Sequence, residues 1–498
     1  MHEAQRVAWN AGLMIAKQGV MAVLGVLFVG YMARTVGVAA WGEFQASLAI
    51  TATAAIVAGL GVRGYVAREI AMNSSLGPRY LGSALIIRGV TGTIILSAIA
   101  IVSLTTRSAE GQWLVPIAAA SQLATLLYTT MWLSFEVHER FQYIVYVELG
   151  ARLFVLTMAT LCIAWGLGIV GAAIIFAMGN AIELALTYHF LCRRLYAPSF
   201  ETSTSELVSI AKRSLPFGFV GALLGAVRQS DRVLLRWFGD ESMVGIFSAG
   251  AVLVEQLEVL SDLVFGAAFS VGVRLYAGDP NRFLGLYRTA IVTAIAIGLP
   301  IGAGTCLLAP DIIHLVYGTT GFVGADRTLR VLAWHIPATF AFHVTSLPLI
   351  AGKREAALGA VLLPALVATF TLDRYLVPRH GAFGAASTAL VVSIAVVSAL
   401  LALTPACARE IPLGRIRAAI VATGCMVLVV SLVHRSWGVW MSILAGVVTY
   451  VLLSFGLRLV TLREIQLLLK PGMTMVQQEK PSDAKPSPID ATRSSEDA

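Results

Sequence analysis

Residues 228–258 read RQSDRVLLRWFGDESMVGIFSAGAVLVEQLE. Two apolar segments flank a short Gly-Asp-Glu-Ser turn, a pattern typical of two membrane helices joined by a tight connection. The first segment carries Arg228, Asp231 and Arg232 within about one helical turn, and the second ends in acidic residues. A charged side chain at the centre of a span costs about 2.5–3.5 kcal/mol. These charges therefore indicate a polar site inside the membrane.

The composition of the whole chain agrees with a membrane setting. Of the 498 residues, 57% are hydrophobic and 13% are charged, and the mean hydropathy is +0.80. Apolar runs long enough to cross a bilayer recur along most of the chain, without the alternation of apolar and polar residues that a β-barrel requires. The sequence predicts an all-α polytopic membrane protein.

About fourteen transmembrane helices are expected from the apolar runs. Because this number is even, both termini lie on one side. With the N-terminus in the cytoplasm, about twenty Lys and Arg residues fall in inside connections and about eight in outside ones, as the positive-inside rule predicts. The expected spans are 8–33, 42–60, 81–104, 114–134, 146–165, 168–190, 214–236, 244–271, 287–308, 328–350, 355–372, 382–403, 415–433 and 437–458.

Several classes of function are disfavoured by the sequence. The net charge of +8 comes from basic residues scattered over short connections and not from one basic face, so no nucleic acid partner is expected. The five cysteines have no metal-ligand spacing, and there is no Walker motif and no nucleophile elbow. We expect no enzyme, no catalytic residues, no cofactor and no metal. The first apolar run is expected to be a retained span and not a signal peptide.

An internal repeat organises the chain. Gly42-Glu-Phe-Gln-Ala46 matches Gly245-Ile-Phe-Ser-Ala249 at an offset of 203 residues, and Arg79-Tyr-Leu-Gly82 matches Arg282-Phe-Leu-Gly285 at the same offset. The offset encloses six spans, so the two copies insert with the same orientation. The prediction is two pseudo-symmetric six-helix lobes, two additional helices and a disordered cytoplasmic tail, over residues 1–205, 206–408, 409–470 and 471–498.

The charged residues of the seventh and eighth spans form two faces. Arg228 and Arg232 lie one turn apart on the seventh span, beside Asp231, and a face of this kind suits a phosphate. On the eighth span, acids at spacings of three and four form one stripe that is suited to ion coupling; it consists of Glu255, Glu258 and Asp262. A structural ion-pair network between the two helices is the alternative. The repeat places Ala52, Ala55 and Gly59 at the positions of the three acids, so the stripe belongs to the second lobe only.

Other polar residues within spans are weaker candidates. Arg88 is expected either to add positive charge to the cleft or to extend toward the lipid headgroups. Glu148 and Arg152 lie four residues apart and are expected to pair with each other. His335 and His343 show no partner in the sequence, and such histidines are more often satisfied core residues than ligands.

The residues Gln229-Ser-Asp231-Arg232, with Gly245-Ile-Phe-Ser-Ala249 and Glu255, resemble the polysaccharide transporter family. These are the Wzx-like oligosaccharide flippases of the multidrug/oligosaccharidyl-lipid/polysaccharide exporter superfamily. Residues 34–44 resemble the first hairpin of the same family. The resemblance implies a V-shaped pair of lobes that alternates between inward and outward opening.

The cargo implied by the resemblance is an oligosaccharide linked to a lipid pyrophosphate, flipped across the cell inner membrane. Arg228, Arg232 and Arg88 would face the pyrophosphate and sugars, and Glu258 or Asp262 would exchange protons. Membrane lipids are the surroundings, and polysaccharide polymerase and glycosyltransferases are possible partners. The alternatives are a lipid II-type flippase or a small-molecule or multidrug exporter of the same superfamily. A membrane-embedded transferase of exopolysaccharide assembly is disfavoured because the connections between spans are short.

Overall fold

The structure is a computed structural model that describes residues 3–106, 112–318, 321–404, 413–457 and 459. Fifteen α-helices and one short 3-10 turn make up nearly all of this part of the chain, in which no strand occurs. The predicted all-α class is confirmed, and the predicted tail at 471–498 lies outside the described residues. The helices are α1 (Glu3–Val36), α2 (Val38–Ala58), α3 (Val62–Met72), α4 (Gly77–Thr106), α5 (Leu114–Val137), α6 (Phe141–Ala164), α7 (Gly168–Arg194), α8 (Thr204–Phe238), α9 (Glu241–Gly278), α10 (Pro280–Leu307), α11 (Ala309–Tyr317), α12 (Ala325–Leu332), α13 (His335–Ala351), α14 (Glu355–Leu403) and α15 (Leu413–Gly456).

Nine helices among the described residues are long and apolar enough to cross a membrane, or up to eleven if two bent pairs each count as one span. One bent pair is α2 and α3, which meet at 48°, where Leu60 and Gly61 adopt positive φ angles. Helices α14 and α15 have 49 and 44 residues and contain a non-helical glycine each, Gly381 and Gly438. At 1.5 Å per residue both helices exceed the roughly 30 Å hydrocarbon layer about twofold. The chain is a multi-pass membrane protein, and the count of fourteen spans stays a prediction.

The two halves of the chain start corresponding helices at the predicted offset. Helices α2 and α9 begin at 38 and 241, and α4 and α10 begin at 77 and 280, so both pairs differ by 203 residues. Helix α15 comes after the second half and packs against α10. The helix positions thus show the same period as the sequence repeat, while the predicted domain boundaries stay a prediction.

The repeated glycines form the contact between the halves. A Cβ atom on Gly42 would lie 1.8 Å from the carbonyl oxygen of Glu241, and one on Gly245 would lie 2.1 Å from the carbonyl oxygen of Val38. Because 38 and 42 correspond to 241 and 245 in the repeat, the contact is reciprocal, as across a two-fold axis. Only glycine allows backbones to approach this closely.

Polar contacts also join the halves at the end of the bundle where α2 and α9 begin, which we call the α2/α9 end. Arg236 on α8 pairs with Glu43 on α2 at 3.0 Å and with Glu241 at 2.6 Å. Arg34 on α1 donates to the carbonyl oxygens of Leu315 and Val316 in the last turn of α11. A guanidinium group at a helix C-terminus satisfies carbonyl groups that have no partner within the helix. The halves are therefore tied together at this end.

Exposed tryptophans collect at the same end. Five of these side chains are more than half exposed, and each lies where a helix begins, ends or kinks at the α2/α9 end: Trp113, Trp165, Trp237, Trp437 and Trp440. Tryptophan favours the level of the lipid headgroups, where its ring is partly in hydrocarbon and its N–H group reaches polar partners. The α2/α9 end thus has the composition of a membrane interface.

Candidate functional site

A cavity of about 170 Å³ lies in the C-terminal half between α8, α9, α13 and α14. Five of the seven predicted site residues line it: Arg228, Asp231, Arg232, Glu255 and Glu258. Their side chains converge because α8 and α9 present the arginine face and the acidic stripe to each other. The residues chosen from the sequence spacing thus meet at one cavity, and their assignment as site residues stays a prediction.

The two arginines of α8 differ in their surroundings. Arg232 is 5% exposed, and its Nη2 atom lies 2.8 Å from Oε1 of Glu255 on α9. Arg228 is exposed to the cavity and makes no ion pair or hydrogen bond to the described part of the chain. Arg232 thus holds α8 to α9, as expected for a structural ion-pair network. Arg228 has N–H donors free to bind a ligand.

The acidic stripe of α9 pairs with histidines of α13. Oε1 of Glu258 accepts hydrogen bonds from Nδ1 of His335 at 2.6 Å and from the hydroxyl of Thr339 at 2.8 Å. Oδ1 of Asp262 lies 2.9 Å from Nε2 of His343. The two histidines therefore have acidic partners, which the sequence reasoning missed. The available signal was their spacing, because residues 335, 339 and 343 recur every four positions and share one helix face.

A second acid of another helix lies near Asp231. Asp373 on α14 is fully buried and interacts electrostatically with Asp231. Thr388, further along α14, is within reach of the Asp373 carboxyl group. No signal in the sequence pointed to Asp373, since 142 residues separate it from Asp231 and no motif connects them.

A second cavity, of about 280 Å³, lies between the two halves. Arg152, Asn180 and Phe176 line it from the N-terminal half, and Arg232 and Glu255 from the C-terminal half. The guanidinium carbon of Arg152 lies 5.9 Å from the ring centre of Phe176, within the range of a cation–π contact. Both halves thus contribute an arginine to this space.

The expected pairing of Glu148 with Arg152 is wrong. Oε2 of Glu148 lies 2.8 Å from Nζ of Lys17 on α1, and Arg152 makes no ion pair with any described residue. The reason is that α1 packs against α6 and brings a closer cation to Glu148. Arg152 is thereby free to face the cavity between the halves, a role that the sequence reasoning missed.

Arg88 lies apart from both cavities. Its side chain is 8% exposed, and Nη1 donates to the Thr130 hydroxyl at 2.5 Å inside the N-terminal half. The structure therefore buries Arg88 within the N-terminal half and does not bring it to either cavity. Its assignment to the substrate stays a prediction without support from its position.

No group of three or more His, Cys, Asp or Glu side chains that could hold a metal ion occurs among the described residues. The cavities are lined by arginines, acids, histidines, amides and apolar groups. Such a lining can bind an anionic group, a proton or a small cation through charge and hydrogen bonds.

The fold of this chain is similar to the folds of several solved proteins. It is similar to a solved structure of the lipid II flippase MurJ in an inward closed conformation, with a TM-score of 0.70 and 15% identity over 90% of this chain and 99% of MurJ. It is also similar to an inward-facing multidrug resistance MATE transporter of the MOP superfamily, with a TM-score of 0.59 and 18% identity over 82% of this chain and 99% of that one. A third similar structure is a MOP superfamily transporter from Pyrococcus furiosus, described as having a binding pocket of reverse polarity. Its TM-score is 0.56, with 18% identity over 84% of this chain and 96% of that one.

The sequence also matches a family profile described as polysaccharide biosynthesis protein, over residues 7–269. The match spans more than half of the 498 residues, and the chain belongs to this family. The predicted resemblance to a polysaccharide family is confirmed by this match. A search of curated proteins finds no significant match.

Proposed function

We propose that this protein flips a lipid-pyrophosphate-linked oligosaccharide, a polysaccharide repeat unit, across the cell inner membrane. The observation that carries the proposal is Arg228, an arginine in a membrane cavity without a carboxylate partner among the described residues. Because Arg228 is exposed to the cavity, its N–H donors can reach an anionic group on the cargo. A guanidinium group suits phosphate oxygens because it donates in a planar fork.

The arrangement of arginines supports transport between two lobes. Arg152 faces the inter-lobe cavity from the N-terminal half, and Arg232 faces it from the C-terminal half. A pyrophosphate bound between them contacts both halves at once. The glycine contact and the Arg236 ion pairs close the α2/α9 end, so alternating access requires these contacts to separate. The lobes proposed are residues 1–205 and 206–408, with 409–470 as an addition.

Ion coupling is proposed for the acids of the C-terminal half. Glu255, Glu258, Asp262 and Asp231 lie beside the arginines, where a change in their charge alters the field at the cargo. No nucleotide-binding motif occurs in the sequence, so the energy comes from an ion gradient, the membrane potential or the cargo's own gradient.

A second candidate function is the export of small organic cations. The observation that favours it is the surplus of acids over free arginines around the C-terminal cavity, where Asp231 and Asp373 lie close together. A lipid II-type cargo is a variant of the first proposal, because a pyrophosphate and a saccharide fit the same arginines. Polysaccharide polymerase and glycosyltransferases are proposed as partners, and both termini are proposed to be cytoplasmic.

The first prediction concerns Arg228. In vesicles containing the full-length protein and a fluorescent polyprenyl-pyrophosphate-linked disaccharide, Arg228→Ala should slow flipping about ten- to hundredfold. The reason is the loss of a charged hydrogen bond worth about 1.5–3 kcal/mol. A rate assay with an impermeant quencher of the fluorophore measures the effect.

Arg193→Ala, at the exposed end of α7, is the matched control and should flip at the wild-type rate. Normal flipping by Arg228→Ala would contradict the phosphate assignment. Transport of a small organic cation by the wild type, without movement of the lipid, would favour the second candidate.

A further inference from the structure

A third cavity, of about 270 Å³, adjoins the cavity of about 280 Å³ between the two halves. The two cavities share four lining residues, among them Gln45 and Arg152, so they lie side by side along one wall. We call the two adjoining cavities together the amide pocket. Five glutamines from five different helices line it: Gln18, Gln45, Gln122, Gln229 and Gln256.

The glutamines of the chain collect at this pocket. Of the seven glutamines between residues 17 and 457, five line it. The other two are Gln112, which lies two residues before α5, and Gln142, in the first turn of α6. At the 203-residue offset, no glutamine or asparagine stands opposite any of the five. The framework that the two halves share therefore does not account for them, which indicates a role specific to the pocket.

The five side-chain amides make no hydrogen bond to any described residue. Gln45 is the most enclosed of those reported as buried, with 8% of its side chain exposed. Glutamines within membrane helices usually bond to a neighbouring helix, because a buried polar group without a partner is costly. These amides do not hold helices together in this way. Each one offers two N–H donors and an acceptor oxygen to a ligand that both donates and accepts hydrogen bonds.

Aromatic rings line the same space as the amides. The 270 Å³ cavity is bordered by Phe28, Trp41, Phe44 and Phe176. The ring centre of Phe44 lies 6.0 Å from that of Trp41 and 6.0 Å from that of Phe176. Nε1 of Trp41 is buried and has no hydrogen-bond partner in the described part of the chain. A pyranose ring packs its C–H face on such rings, while its hydroxyl groups, which donate and accept, bond to amides.

The charges on the lining favour a neutral group next to an anionic one. Glu148 is paired with Lys17 at 2.8 Å, and Glu255 is paired with Arg232 at 2.8 Å. Arg152 is the charged residue of the lining that has no ion-pair partner among the described residues. Both arginines line the 280 Å³ cavity, whereas the 270 Å³ cavity has Arg152 alone. A pyrophosphate therefore fits the first cavity, and an uncharged group fits the second.

Both halves of the chain contribute amides to the pocket. Gln256 belongs to α9 of the C-terminal half, and its Nε2 atom lies 3.5 Å from the position that a Cβ atom on Gly25 of α1 would occupy. Gln18 and Gln45 face the same cavity from the N-terminal half. A ligand held by these three amides contacts both halves at once, as does a pyrophosphate between Arg152 and Arg232.

From this composition we infer that the amide pocket binds the saccharide of the cargo, with neutral pyranose rings against the glutamines and aromatic rings and with Arg152 at the boundary to the pyrophosphate. Together the two cavities fall within the roughly 300–1,000 Å³ of small-molecule pockets. The inference rests on the proposed function for the identity of the cargo, and it adds which groups bind the sugar and where.

The first test compares two lipids in vesicles that contain the full-length protein. One is the fluorescent polyprenyl-pyrophosphate disaccharide, and the other is the same lipid without sugar. The wild type should reach half-maximal flipping at an at least about tenfold lower concentration of the disaccharide lipid. Gln45→Leu and Gln256→Leu should each reduce this preference about threefold, because an amide–hydroxyl hydrogen bond is lost. Leucine is apolar and similar in size to glutamine, so the helices should still insert.

Gln142→Leu, outside the amide pocket, is the matched control and should keep the preference of the wild type. Gln45→Asn retains an amide and should keep more of the preference than Gln45→Leu. An unchanged preference in both leucine variants of the pocket would overturn the inference. Equal half-maximal concentrations of the two lipids in the wild type would overturn it as well.

Saccharide binding is tested without flipping by a disaccharide lipid that has a photoreactive diazirine on its sugar. After illumination with the full-length protein in lipid nanodiscs, mass spectrometry should locate crosslinks in α1, α2 and α6 around the pocket. Gln45→Leu and Gln256→Leu should lower the yield about threefold, and Gln142→Leu should not. Crosslinks confined to the cavity between α8, α9, α13 and α14 would contradict the site. If the wild type crosslinked at the amide pocket but flipped no lipid, the flippase proposal would fail and the saccharide site would stand.

Discussion

Helices α2 and α9 occupy matching positions in the repeat, yet they differ in the residues beyond their shared contact. Both begin with the Gly-x-Phe-x-Ala motif, and Phe44, Phe247, Ala46 and Ala249 are all buried. Past the motif, α2 has Ala52 and Ala55 at the positions of Glu255 and Glu258, and it ends just before Gly59, the counterpart of Asp262. The symmetric part of the molecule thus forms the joint between the halves, and the asymmetric part carries the charges.

The largest effect is expected at the symmetric joint. Gly42→Ala and Gly245→Ala should each destabilise the closed α2/α9 end by about 1–3 kcal/mol, because a methyl group would overlap a carbonyl oxygen of the other half. Spin labels on both sides of the joint, read by pulsed EPR, should show a larger open population in both variants.

Gly150→Ala is the control, since a Cβ atom there would meet no atom within 4 Å. Effects of similar size in the two lobes are expected if the joint is symmetric. A strong effect of one substitution and none of the other would break the comparison between α2 and α9.

A smaller effect is expected at the asymmetric tie across the same joint. Arg236→Ala removes the ion pairs with Glu43 and Glu241. The free energy that keeps the α2/α9 end closed should fall by about 1–2 kcal/mol, since Glu43 is largely buried and loses this cation. The same distance measurement detects the change, and a double-mutant cycle with Glu43→Gln isolates the pair.

Arg282→Ala serves as the control for Arg236. Among the described residues, Arg282 forms an ion pair only with Asp279 of its own half, and both side chains are exposed, so its loss should cost about 0.5 kcal/mol or less. Equal effects of the two arginine substitutions would show that the tie between Arg236 and Glu43 does not hold the halves together.

The smallest effect is expected from a conservative change at the arginine of the N-terminal half. Arg152→Lys keeps the charge and loses the planar fork of donors. Half-maximal flipping should therefore need an about threefold higher concentration of the lipid-linked disaccharide, which corresponds to about 0.6 kcal/mol of binding free energy. Arg193→Lys should leave this concentration unchanged. An unchanged value for Arg152→Lys would confine the cargo's phosphate to the C-terminal half.

The fold was predictable where the signal is local or periodic. Apolar runs predicted the helical membrane class, and the 203-residue offset predicted that α2 and α9 begin at corresponding positions. The turns of the bundle were less accessible, because the bend at Leu60 and Gly61 and the breaks at Gly381 and Gly438 depend on how a helix packs.

The site was predictable along single helices and not between them. The spacing within α8 and α9 located the arginine face and the acidic stripe, since residues three and four apart share a helix face. The partner of Glu258 lies 77 residues away on α13, and the partner of Glu148 lies 131 residues away on α1. Such pairs are decided by which helices pack together, and one sequence contains no direct record of that packing.

The reciprocal glycine contact also constrains how the two halves can change over generations. Each glycine faces the backbone of the residue that corresponds to the start of its own helix, so insertion of one residue between Val38 and Gly42 would rotate Gly42 by about 100° relative to Val38 and disrupt the paired contacts. A larger residue in one copy has no compensating cavity in the other, because the opposing atom is a carbonyl oxygen and not a side chain that can be shortened. The duplicated halves are therefore free to diverge in their charges while this pair of turns must be inherited together.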